Sequence, residues 1–166
     1  MKISIKPSIP FIAIFLVMVA LSTKGTAQEK FVKSAFYEVM STGDVAATDA
    51  EIIVVQNSTS ANKEGYEGAL LMKKAGLMNG PAKKLKFFKE GRIQLETAIM
   101  ADNDNTEYHF LRLAIEEHAP KIVKYHADIE RDKAIIIKNY KNLSPSVQKA
   151  ILDYCKNSSV LHAEDF

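Results

Sequence analysis

The stretch Pro81-Ala-Lys-Lys-Leu85-Lys-Phe-Phe88-Lys-Glu-Gly91-Arg92-Ile-Gln-Leu95-Glu-Thr-Ala98-Ile99-Met-Ala101, followed by Asp102-Asn-Asp-Asn105, decides how the chain folds. Leu85, Phe88, Arg92, Leu95 and Ile99 recur at steps of three and four, which lines them along one face of an α-helix instead of alternating them across a strand. Pro81 fits the first turn, where its missing N–H would have no helical partner. The Asp/Asn cluster at 102–105 is turn chemistry. The spacing therefore predicts a helix from Pro81 to about Ala101, with Gly91 and Ala98 as small residues beside its apolar stripe.

The same grammar extends in both directions. After the turn, Tyr108, Leu111, Ile115 and Ile122 keep helical register while Phe110, Leu113 and Ala114 occupy other sides. A helix apolar nearly all round belongs at the centre of a core, and Pro120 kinks or ends it. A sixth helix is expected over Ala127–Lys141, aligning Ile129, Ile136, Ile137 and Tyr140. The seventh has Ser144 as N-cap, Pro145 at the first helical position, and a stripe of Val147, Ile151 and Tyr154. Upstream, a first helix is expected from Glu29 to Met40. A second opens at the capping box Thr48-Asp-Ala-Glu51 and runs through Ile52–Val55, where a short strand is the alternative. A third spans Lys63–Ala75 and is closed by Gly76. Short connections make successive helices antiparallel. The fold class expected is all-α, with six or seven antiparallel helices.

Within this pattern Gly91, Leu95, Ala98 and the turn Asp102-Asn-Asp-Asn105 resemble the second helix and exit turn of a tetratricopeptide repeat, with Asn103 where that family usually has proline. Tyr66-Glu-Gly68-Ala-Leu-Leu resembles the glycine-bearing first helix. The resemblance implies helical hairpins packed through small residues, and a protein or peptide partner held between them. The link Leu77–Lys84 is longer than in the standard repeat, and Tyr108–His118 lacks the glycine expected at the corresponding position. More loosely, the chain also resembles small exported bacterial proteins of no assigned activity.

Composition narrows the function classes. The 166 residues carry a formal charge of +2, one cysteine and 25% charged side chains, which excludes a disulfide-stapled miniprotein and a strongly basic nucleic-acid binder. Residues 1–27 place Lys2 and Lys6 before the apolar run Phe11–Leu21 and the small, polar stretch Ser22–Ala27, the order of a secretory signal peptide cut ahead of Gln28. An uncleaved anchor is the alternative, but the apolar run is shorter than the roughly 20 residues of a spanning helix. No cysteine lies near the cut, so a lipoprotein is not indicated. Removing the segment takes away Lys2, Lys6 and Lys24 and leaves 19 basic against 20 acidic side chains in one domain, 28–166. The expectation is a near-neutral domain in the periplasm or outside the cell, meeting the membrane only through export and binding no nucleic acid. Cys155, without an internal partner, is either buried or paired with another chain.

Four residues stand out as binding candidates. Arg92 falls on the apolar stripe of its helix and Arg112 on the central helix, so each must be paired or must snorkel. A groove lined by Arg92, Arg112 and Tyr108, with Tyr66, is the candidate site for a protein or peptide. His109, Glu116, Glu117, His118, His126, Asp128, Glu130 and Asp132 crowd into 24 residues. No metal-ligand spacing is present, so dispersed, solvated acids with histidines at helix ends are expected. His118, His126, Glu117 and Glu130 remain the alternative as a metal or catalytic cluster. No nucleophile elbow, dinucleotide motif or phosphate loop occurs, and no cofactor is implied. The basic run Lys83–Arg92 reads as a solvated face above Leu85 and Phe88, or as a dock for an acidic partner or lipid headgroups. The expected function is a non-catalytic interaction module. A small envelope enzyme or metal-binding protein is the first alternative, and a structural subunit of an envelope complex the second.

Overall fold

The structure is a computed structural model that describes residues 30–166; the expected signal peptide lies outside the described residues. Among those residues there are seven α-helices and no strand: α1 Lys33–Thr42, α2 Val45–Asn57, α3 Lys63–Leu77, α4 Pro81–Ala101, α5 Thr106–His118, α6 Ile129–Asn139 and α7 Pro145–Cys155. Short 3-10 turns occupy Lys121–Val123, Tyr140–Asn142 and Ala163–Asp165. No helix among the described residues is long and apolar enough to cross a membrane.

Several boundaries differ from expectation for local reasons. Helix α2 begins a turn earlier than its Thr48 capping box because Asp44 caps it: the carboxylate accepts from the Ala47 N–H at 2.8 Å. The Thr48 hydroxyl instead donates to the Asp44 carbonyl at 2.6 Å. The β-branched run Ile52–Val55 is helical, with Ile52 and Val55 buried. Gly76 does not end α3, which continues to Leu77; the left-handed residue falls later, at Gly80 (φ 87°), which turns the chain into α4. Helix α5 stops at His118 because Ala119, held extended ahead of Pro120, cannot continue it. Ser144 occupies the N-cap position of α7, but its side chain makes no cap hydrogen bond.

Helices α3 and α4 form the most closely packed pair. Gly68 and Gly91 meet where they cross. A Cβ on Gly68 would lie 2.8 Å from the Gly91 carbonyl oxygen, and one on Gly91 would run into the Gly68 carbonyl. The approach buries Leu95 completely, together with Ala69, Leu70 and Met72; truncating a side chain so enclosed costs about 2–5 kcal/mol. Helix α5 holds the centre. Its Tyr108 and Leu111 enter the larger cluster with α1–α4, and its Phe110 and Leu113 enter a second cluster with Ile136, Val147, Ile151 and Leu161. Helix α5 is buried on nearly every side, as a central helix should be, but its buried residues include His109, Arg112 and Glu116 as well as apolar ones. Cys155 is half-buried at the edge of the second cluster, and desolvation raises its thiol pKa above the ordinary value.

Candidate functional site

The sequence-derived binding set does not line a groove. Tyr66 is buried against Phe31 and Phe36, and Tyr108 is buried with its ring over Gly65. Arg112 is also buried, and only Arg92 is exposed. Burial raises the hydroxyl pKa of both tyrosines, that of Tyr108 to about 12, with the nearby Glu107 adding to each shift. These three buried side chains belong to the core, and a partner at the surface cannot reach them.

Arg112 finds the carboxylates its position demanded. His109, Arg112 and Glu116 sit at i, i+3 and i+7, one stripe of α5, and this stripe faces the start of α6. Arg112 donates through Nε and Nη2 to the two oxygens of Asp132, each at 2.8 Å, and through Nη1 to Glu96 at 3.0 Å. Burial alone would lower the guanidinium pKa; hydrogen bonding and attraction to Asp132, Glu96 and Asp128 outweigh it and raise the value. His109 Nδ1 lies 2.7 Å from Asp132, and its Nε2 lies 2.8 Å from the Asn103 carbonyl. Both neighbours offer an acceptor oxygen to the ring. Glu116 Oε2 accepts the Asp128 N–H at 3.0 Å, and burial raises its carboxyl pKa. Tyr125 donates to Glu96 at 2.5 Å while its ring packs on Phe88 and beneath the Arg92 guanidinium, 4.8 Å from the centroid. The acids expected in solvent therefore include Asp132 and Glu116, both buried, the first paired with Arg112 and the second accepting a backbone N–H.

The alternative His/Glu cluster is spread apart. His118 is exposed, with Nδ1 at the Ala114 carbonyl. His126 Nδ1 lies 2.7 Å from the Glu116 carbonyl. Glu130 is exposed. Glu117 is engaged by Tyr154, by both Ser158 and Ser159 hydroxyls, and by the Ser159 N–H at 2.6 Å. Burial works against the Glu117 charge, but these donors together hold its carboxyl pKa below the ordinary value. Among the described residues no three His, Cys, Asp or Glu side chains converge as a metal site.

A concave surface lies elsewhere. A polar, open cleft of about 520 Å³ runs between the start of α5, the end of α6 and the link to α7. Its floor is Glu107, buried, which pairs with Lys33 and accepts the Tyr37 hydroxyl at 2.8 Å. Asn139 forms one wall by donating to Thr106 at 2.9 Å. Asn142 and Lys138 are exposed at the rim. Carboxamides both donate and accept, as does each peptide unit of an extended chain. No part of this cleft was proposed from the sequence, since its walls come from positions 33, 106, 139 and 142 and have no local spacing. No family model, no curated protein and no solved structure matches the chain.

Proposed function

We propose that the protein is an exported, non-catalytic interaction module of the bacterial envelope, built from hairpins of the tetratricopeptide kind, that holds an extended peptide or a protein segment. The observation that carries this reading is the cleft at Lys33, Glu107, Asn139 and Asn142, where the half-buried Lys33 paired with the buried Glu107 underlies amide side chains able to pair with a peptide backbone. The contact between Gly68 and Gly91 supports the hairpin comparison, because it is the small-to-small approach for which such repeats reserve glycine and alanine. The apolar run ahead of Gln28 supports export, and with it a periplasmic or extracellular site.

The test is selection of peptides from a random displayed library on the purified protein, followed by titration against the Asn142→Ala variant. Asn142 is exposed, so its loss spares the fold. Peptides that bind the parent and lose roughly two- to tenfold in affinity on the variant support the reading. Recovery of no peptide, or of peptides indifferent to Asn142, overturns it.

A further inference from the structure

Beyond Pro120 the chain forms a tight hook. Lys121–Val123 make a 3-10 turn, Lys124 is left-handed at φ 49°, and Tyr125 is buried against Phe88 and Arg92 of α4. Tyr125 thus seats the hook beside one particular face of α4. Leu85, Phe88 and Arg92 follow one another there at i, i+3 and i+7. At the tip of the hook Ile122 is 88% exposed, and Leu85 on the adjoining helix is 46% exposed.

Cations outnumber acids on the hook and on this part of α4. Lys84, Lys89, Arg92, Lys121 and Lys124 are all exposed, and among the described residues none of them has a carboxylate within ion-pair distance. The acids nearby are already engaged: Glu90 faces Lys86 at 3.9 Å, and Glu96 serves Arg112 and Tyr125. A near-neutral protein has therefore gathered unpaired cations around a protruding isoleucine. A side chain that stands out on a hook is buried by sinking into a soft surface, whereas a peptide partner needs a groove to receive its own side chains. The cleft at Lys33, Glu107 and Asn142 does not include these residues.

We propose that the hook at 121–124 and the adjoining face of α4 dock the protein onto an anionic bilayer surface, with Ile122 and Leu85 entering the interface and the five cations above the headgroups. This contact is additional to any made during export. Each basic side chain near an anionic leaflet strengthens binding by about fivefold, and burial of an isoleucine adds about tenfold.

The experiment is co-sedimentation of the full chain with phosphatidylcholine vesicles, with and without phosphatidylglycerol, comparing the parent with Ile122→Ser and with the double variant Lys89→Glu/Lys121→Glu. The apolar residues 11–21 are the same in every arm, so they cancel from the comparison of variants. All three substituted side chains are exposed, and circular dichroism checks that the fold persists. The expected result is a phosphatidylglycerol-dependent part of the binding that weakens at high salt and falls about tenfold or more in each variant. A phosphatidylglycerol-dependent part that the variants leave unmoved overturns the proposal. Binding to polyglutamate but to neither vesicle also overturns it, assigning the surface to an acidic protein.

Discussion

Asp132 closes on Arg112 with two parallel hydrogen bonds of 2.8 Å, joining the first turn of α6 to the middle of α5 with no solvent exposure at the carboxylate. The same carboxylate faces His109 at 2.7 Å. The two helices are therefore held at one register by charge as well as by apolar contact. Removing one member of a buried pair leaves the other desolvated and uncompensated, which costs about 3–5 kcal/mol. Asp132→Ala is expected to lose that much stability in urea denaturation; a loss under about 1 kcal/mol would show that Glu96 and Asp128 suffice for Arg112.

The glycines of the α3/α4 hairpin divide into two kinds. Gly91→Ala drives a methyl group into the Gly68 carbonyl and against Met72 and Leu71, so the helices must separate; the expected cost is about 1–3 kcal/mol or more. Gly76→Ala meets nothing within 4 Å and lies inside α3, where alanine is the better helix former. It is expected to gain about 0.5–1 kcal/mol. Opposite signs in thermal melts test the close approach without reference to any other part of the molecule.

The sequence is most legible where the physics is local. Helix α4 has the expected bounds, Pro81 and Ala101, because proline and the Asp/Asn turn act on their own neighbours. The central place of α5 follows from Tyr108, Phe110, Leu111 and Leu113, which put apolar side chains on several of its sides. What depends on distant partners could not be read this way. The Thr48 box looked sufficient, yet Asp44 took the cap one turn earlier. Leu85 shares the spacing of Phe88 but stays half-exposed. The demand of Arg112 for carboxylates was legible, but their identities were not, since Glu96 and Asp132 come from other helices. The stripe His109/Arg112/Glu116 was a usable signal for the buried network, and it was masked by the many acids nearby. Of the four binding candidates, three are large side chains at helical spacing, and such side chains fill a core more often than they line a site.

Glu117 ties the C-terminal segment to α5 by accepting from Tyr154, Ser158 and Ser159. Its carboxyl pKa is lower in the fold than the ordinary 4.5. The stabilisation is therefore fully present above that pH and is lost as pH falls through the lower folded value. Amide exchange at Ser159 and Leu161 is expected to accelerate below about pH 4.5 while the α3/α4 hairpin stays protected. In Glu117→Gln this pH dependence should vanish. Uniform acceleration across all helices would assign the acid sensitivity to another group.

At the alkaline end the controlling groups are phenols. Burial raises the hydroxyl pKa of Tyr37, Tyr66, Tyr108, Tyr125 and Tyr154, and a neighbouring carboxylate reinforces each shift: Glu107 for Tyr37 and Tyr66, Asp102 and then Glu107 for Tyr108, Glu96 for Tyr125, Glu117 for Tyr154. A group whose folded pKa exceeds its unfolded value contributes stability that is fully present below the unfolded value, here 10, and is lost as pH rises from there through the higher folded value. Tyrosinate absorbance is therefore expected to appear together with loss of helical circular dichroism above pH 10, as one cooperative transition. Tyr125→Phe keeps the ring against Phe88 and Arg92 but removes the hydroxyl donated to Glu96. Its loss should be about 0.5–1.5 kcal/mol at neutral pH, and smaller above pH 10, where ionisation of this phenol in the unfolded parent offsets the bond. Ionisation of these phenols near pH 10 with the helices intact would mean that their hydroxyls are open to solvent.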